Sequence, residues 1–141
     1  MEESVGPHDG KVRIALRFKG TNNPEPEAYI DLTRYDDFLY VENVKVQDKY
    51  RGLGYGSDLL RKASEYIISQ GVPGLGYNER PQGSPAYDMR EGEMGWINLD
   101  TYPPWAILLP KGVSMPSDQA ILSMILTARP DYQEYLNPLK P

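Results

Sequence analysis

Hydrophobic and polar residues alternate along "KVRIALRF" at 11–18. Val12, Ile14, Leu16 and Phe18 fall on one side and charged or small residues on the other, which predicts a strand with one buried face. The turn-rich stretch "GTNNPEPE" at 20–27 separates it from "AYIDLTRY", where alternation resumes, so the two runs predict a hairpin with a long loop. "DDFLYVENVKV" adds a third strand. The roughly twenty residues between Phe18 and Phe38 are used up by that loop and strand, which leaves no room for an ordinary helix.

The period then changes. Leu59, Leu60, Ala63, Tyr66 and Ile67 recur at helical spacing as one apolar stripe, Ser57 and Asp58 suit a first turn, and Gly71 with Pro73 supplies a stop. "GLGYNE" at 74–79 predicts a short strand, whereas "RPQGSPAYDMREGEMG" is too broken by proline and glycine for a long helix. "WINL" and "PWAILL" predict strand pieces. Ser117 and Asp118 introduce "QAILSMILTA", a helix ending before Pro130. Trp96 and Trp105, set in apolar runs, are expected in the core, as is the stripe Ala120, Ile121, Met124 and Ile125, with a dimer contact as the lesser alternative. The sum is an α/β (α+β) protein in one domain over 1–141, with 1–10 as a flexible polar leader and the tail to Pro141 lying over the surface.

Composition narrows the chemistry. A chain of 141 residues with 40% hydrophobic and 25% charged residues suits one soluble domain, and 13 Gly with 13 Pro promise many turns. The absence of cysteine excludes disulfides, thiolate metal sites and a cysteine nucleophile. A net charge of −5 argues against a nucleic-acid footprint and favours a cationic small molecule or a lysine-bearing protein as partner. No export signal or membrane-length apolar run is recognisable, so a cytoplasmic protein is expected.

The most informative stretch is "VENVKVQDKYRGLGYGSDLL" at 41–60, where a strand runs into Arg51-Gly52-Leu53-Gly54-Tyr55-Gly56 and then a helix. The first helical turn carries amides without intrahelical partners and the positive end of the macrodipole. Glycine lets that backbone take positive φ and approach phosphate oxygens closely, so the turn suits a pyrophosphate, with Arg51 adding charge at the rim. A plain strand-to-helix corner uses the same glycines. The Walker loop is excluded because no lysine follows, and the dinucleotide fingerprint because the spacing is Gly-x-Gly-x-Gly.

Residues 41–71 resemble motif A of the GCN5-related N-acetyltransferases (GNAT), whose signature is Arg/Gln-x-x-Gly-x-Gly/Ala between strand and helix. Arg51, Gly54 and Gly56 fill the signature, Val44 and Val46 the preceding strand positions, Leu59 and Leu60 the helix, and Gly71 its close. The resemblance implies a mixed, mostly antiparallel twisted sheet with a central amphipathic helix and a C-terminal helix. It implies acetyl-CoA as cosubstrate, with pantetheine beside Val44, Lys45 and Val46. The phosphates would lie within Arg51, Gly52, Leu53, Gly54, Tyr55, Gly56 and Ser57, held mostly by backbone.

Direct acetyl transfer to a primary amine, without metal or acyl-enzyme, needs a base and an acid for the leaving thiolate. Glu42, two residues before Val44 and on its face by alternation, is the candidate base; a solvated strand residue or ion-pair partner is the ordinary reading of the same carboxylate. The family's thiolate acid is a tyrosine after the fifth strand, which points to Tyr87, with Tyr77 and Tyr55 as competitors. Asn78 is a candidate for holding pantetheine or the acceptor. Asp36, Asp37, Asp88, Glu91 and Glu93 are candidates for an acidic rim that attracts an amine, or form a solvated face; His8 has no assigned role. The helices that family members carry between their first two strands are missing here. The chain thus resembles the smallest members, including phage-encoded ones that act in the host cytoplasm, and suits a protein lysine or a small cationic amine as acceptor, as monomer or homodimer. Two alternatives remain open: a catalytically inactive GNAT-fold binding module acting through a protein surface, and a nucleotide- or phosphate-binding protein.

Overall fold

The alternating runs become neighbouring antiparallel strands. The computed structural model describes residues 2–8, 10–18, 24–77, 94–102 and 105–136. Within it β2 (Lys11–Arg17) pairs with β3 (Ala28–Arg34), and β3 with β4 (Leu39–Val46). Helix α1 (Tyr55–Gln70) follows the glycine turn and leads to β5 (Gly74–Tyr77). The hairpin β6 (Trp96–Asn98) and β7 (Trp105–Leu108) and helix α2 (Asp118–Ala128) complete the core. With β1 (Glu2–His8) beside β2, one seven-stranded sheet results, in the order β1-β2-β3-β4-β5-β7-β6, antiparallel throughout except where β4 meets β5.

Each sheet face has its own apolar layer. Ile14, Ile30, Leu32 and Leu39 pack against Leu59, Leu60, Ala63 and Ile67, which are the stripe of α1. On the other face Tyr40, Leu75 and Ile107 pack against Ile121 and Ile125 of α2 and against Tyr132. Trp96 and Trp105 are both core residues, at 0% and 1% exposure. Trp96 also ties β6 to α1, because its indole Nε1 donates to the Ser64 hydroxyl at 2.9 Å. The predicted α2 stripe divides: Ile121 and Ile125 are buried, Met124 is half-buried and Ala120 is exposed.

Two features differ from the sequence reading. The expected leader is a strand: Glu2–His8 forms β1, paired along its length with β2. His8 pairs with Lys11, and Gly10 turns the chain before β2 at φ 77°; the sequence there is Asp-Gly, a favoured pair for two-residue hairpin loops. Its alternation is hard to see because nearly every β1 residue is exposed, which leaves no buried face to mark in apolar residues. A two-residue connection also leaves no place for a helix between the first two strands.

The second difference is a bulge. Asp31 pairs with Asn43 but Leu32 pairs with Val41, so Glu42 is an extra residue in β4. An inserted residue reverses the alternation beyond it. Val41, Val44 and Val46 therefore all pack against the α1-side core. Glu42 instead meets Thr33 and Lys11 on the opposite face. The expectation that Glu42 shares the face of Val44 is corrected by this bulge.

Candidate functional site

After Val46 the chain passes through a single 3-10 turn at Asp48–Tyr50 and then the glycine turn. Gly52 and Gly54 have φ 81° and 87°, conformations that side chains other than glycine resist. Gly54 is the N-cap of α1 and offers no side chain to satisfy the first amides of the helix. A Cβ built on either glycine would meet nothing within 4 Å. The bare backbone therefore faces open space, as it does at Gly10, and at this turn that space leaves room for a ligand against the amides. Gly56 is buried at the start of α1, and Tyr55 and Ser57 beside it are half-buried. Arg51 is exposed at the rim, its Nε donating to the Val46 carbonyl at 3.2 Å and its Nη2 lying 3.2 Å from Asp48.

Upstream of this turn the sheet opens. β4 and β5 run parallel but pair only at Leu39–Gly74 and Tyr40–Leu75. β4 continues six residues further, to Val46, paired among the described residues with β3. Among the described residues the edge of Val41–Val46 that turns away from β3 is thus a strand edge without a β5 partner, and it leads directly to the glycine turn. An extended, amide-bearing molecule can line that edge as an added strand while its anionic end reaches the turn. Val44 and Val46 are half-buried along it and Lys45 is exposed, 3.9 Å from Glu25.

A GNAT family N-acetyltransferase from Escherichia coli, solved in complex with CoA, is similar to this chain with a TM-score of 0.51 at 14% identity, over 73% of this chain and 63% of that one. The fold is that of the GNAT N-acetyltransferases. The ribosomal-protein-S18-alanine N-acetyltransferase from Escherichia coli is similar at a TM-score of 0.49 and 17% identity, covering 79% of this chain and 75% of that one. No protein-family model and no curated protein matches the sequence.

On this GNAT fold Glu42 sits at the bulge, beside the fork of β4 and β5. Its carboxylate lies 2.7 Å from Lys11 Nζ and accepts from the Thr33 hydroxyl. Partial burial pushes the carboxyl upward, but the Lys11 ammonium and the Thr33 hydroxyl together outweigh it and hold Glu42 below its ordinary value. The same pairing raises Lys11. In this arrangement Glu42 is an ionised hydrogen-bond acceptor, and it must exchange Lys11 for water or substrate before it takes a proton.

A lowered folded-state value means that Glu42 stabilises the fold above its unfolded-state pKa, a contribution lost as pH falls through the folded one. Because its side chain is 35% exposed, screening keeps that contribution below about 1 kcal/mol. Glu42→Gln is accordingly expected to flatten the acid limb of stability by up to that amount as pH falls through and below the ordinary carboxylate range, as read by urea unfolding.

The fork also has an aromatic floor that the sequence reading did not assemble. Tyr40 on β4 and Tyr77 on β5 lie 6.1 and 4.8 Å from Trp105 between ring centroids, and Tyr132 meets Trp105 edge-on at 5.6 Å. The Arg129 guanidinium stands 5.4 Å over Tyr77 and is itself held by Asp131. Burial raises the Tyr40 phenol, with Arg129 opposing in part, so Tyr40 stays protonated and can donate a hydrogen bond. The only clue in the sequence is the alternation of aromatics at Phe38 and Tyr40; the approach of β7 is a long-range pairing.

Among the tyrosines proposed as thiolate acid, Tyr77 ends β5 at the fork, whereas Tyr55 lies by the glycine turn with Tyr50 and Phe18. Tyr87 and Asn78 lie outside the described residues, as do Asp88, Glu91 and Glu93. Asp36 and Asp37 line a cleft of about 570 Å³ with α2, at the end of β4 remote from the glycine turn, so they do not rim the coenzyme end. His8 is exposed at the end of β1.

Proposed function

We propose that the chain is an acetyl-CoA-dependent N-acetyltransferase that passes the acetyl group directly to a primary amine of a protein lysine or a small cationic molecule. The observation that carries this reading is the continuity of one strand edge, open over Val41–Val46 among the described residues, with the bare amides at Gly52 and Gly54. A coenzyme with a peptide-like arm and a pyrophosphate offers one group for the edge and one for the turn. The residues also fit by charge and shape, since the turn is open where a Cβ would stand. A similar GNAT protein has been solved in complex with CoA, which supports coenzyme A as the ligand.

In the reaction the amine nitrogen attacks the thioester carbon, the C–N bond forms and the C–S bond breaks. The amine gives up a proton and the coenzyme thiolate gains one. Glu42 takes the amine proton, through water once Lys11 has been exchanged, and Tyr87 protonates the thiolate. The net negative chain attracts the acceptor as an ammonium ion, which must be neutral when it attacks. With no cysteine in the protein, a thiol reagent added to the assay reads released coenzyme alone.

Incubation with acetyl-CoA and a panel of lysine peptides and polyamines is expected to release thiol at a saturable rate. Glu42→Gln is expected to lower kcat by about a hundredfold or more with little change in the KM for acetyl-CoA. Tyr87→Phe is expected to lower kcat as well. An unchanged kcat in Glu42→Gln would remove it as the base.

A second reading is a GNAT-fold binding module without chemistry. The engagement of Glu42 by Lys11 and Thr33 favours it, because the candidate base is already paired. Tight coenzyme binding with no thiol release across the panel would select that reading.

A further inference from the structure

The corner at Lys49–Leu53, beside the proposed coenzyme turn, carries groups that the pyrophosphate cradle does not use. Phe18, Tyr50 and Tyr55 meet edge-on there, Tyr50 lying 4.6 Å from Phe18 and 6.4 Å from Tyr55. Lys49 is exposed, and its ammonium lies 5.1 Å above the Tyr50 ring. Leu53, at the tip between two positive-φ glycines, is 63% exposed. A single exposed leucine is ordinary. Four residues along the same loop, a lysine rests on an aromatic face, so the loop carries both an exposed apolar side chain and a cation, on a protein whose net charge is −5.

Resting on the acetyl-CoA reading of this site, we propose that the Lys49–Leu53 corner recognises the 3′-phosphoadenosine end of the coenzyme. Lys49 pairs with the 3′-phosphate, and Leu53 lies under the base. The chemistry fits a nucleotide end, which presents one flat, largely apolar face and one dianion. Tyr50 limits the directions Lys49 can take, so less side-chain entropy is lost on pairing. Arg51, tied to Asp48 and the Val46 carbonyl, belongs to the pyrophosphate side of the corner.

Titration calorimetry with CoA, 3′-dephospho-CoA and 4′-phosphopantetheine tests the proposal through binding and not through turnover. The wild-type protein is expected to bind CoA about tenfold tighter than 3′-dephospho-CoA, a ratio that shrinks as salt is added. In Lys49→Ala, CoA falls to the level of 3′-dephospho-CoA, whose own affinity stays the same, while Lys49→Arg keeps most of the discrimination. Leu53→Ser weakens both nucleotides severalfold, on the order of one buried methylene or two, and leaves 4′-phosphopantetheine unaffected. Equal wild-type affinity for CoA and 3′-dephospho-CoA, or a ratio preserved in Lys49→Ala, overturns this assignment alone. Failure of the wild type to bind CoA at all overturns the acetyltransferase reading and the assignment with it.

Discussion

Gly54→Val is expected to lose more than about a hundredfold in coenzyme A affinity, because a side chain there screens two or more charge-assisted amide-to-phosphate bonds worth about 1.5–3 kcal/mol each. The protein should still fold. A Cβ at Gly54 meets nothing within 4 Å, so no packed atom has to move. The cost to the fold is the left-handed backbone at φ 87°, about 1–2 kcal/mol and somewhat more for a branched residue. Gly10→Val is the control, since Gly10 has φ 77° with the same open surroundings in the β1–β2 connection. It should lose similar stability and bind coenzyme A normally. Calorimetric titration with thermal unfolding separates the two effects, and near-normal affinity in folded Gly54→Val would contradict the cradle.

Trp96→Ala is expected to destabilise the protein by about 3–5 kcal/mol, the range for a large aromatic removed from a close-packed core. Trp96 is fully buried, and its indole N–H donates to Ser64 on α1, whose hydroxyl donates to the Leu60 carbonyl at 2.7 Å. The substitution therefore opens a cavity and also removes the clamp between the outermost strand and the helix that presents the glycine turn. The melting temperature should fall by roughly 10–15 °C. Trp96→Phe, which keeps most of the volume but not the donor, should cost about 1–2 kcal/mol. A loss under about 1 kcal/mol in Trp96→Ala would mean that β6 is not docked on α1 as described.

The elements that bury one face were legible in the sequence, because burial writes its period into the chain. Val12, Ile14 and Leu16 announced β2, the stripe from Leu59 to Ile67 announced α1, and Ser117 announced the start of α2, where its hydroxyl accepts from the Ala120 amide at 3.1 Å. β1 was illegible because neither of its faces is buried. The bulge at Glu42 carries no glycine or proline to mark it, and the reversed alternation that it causes shows only once Leu32 is seen opposite Val41.

Within the candidate site, the glycine turn was legible because positive φ demands glycine at Gly52 and Gly54. The fork was not. It depends on β5 returning after a sixteen-residue helix and pairing with β4 at two positions only. Gly74, at that join, has a bare α-carbon for a reason visible only in three dimensions: a Cβ there would come within 2.9 Å of Ile67 on α1. The aromatic floor of Tyr40, Tyr77 and Trp105 draws on three strands, and the Lys11–Glu42 pair spans two strands that are not neighbours. Contacts of that range leave no local period to read.

The most direct test of the coenzyme site is a crystal structure of the protein soaked with coenzyme A. The account predicts the pyrophosphate on the amides of Arg51–Ser57, the pantetheine arm along Val44–Val46 in the fork with β5, and the sulfur within reach of the bulge at Glu42. Coenzyme bound elsewhere, or a turn that holds ATP and excludes coenzyme A, would contradict it.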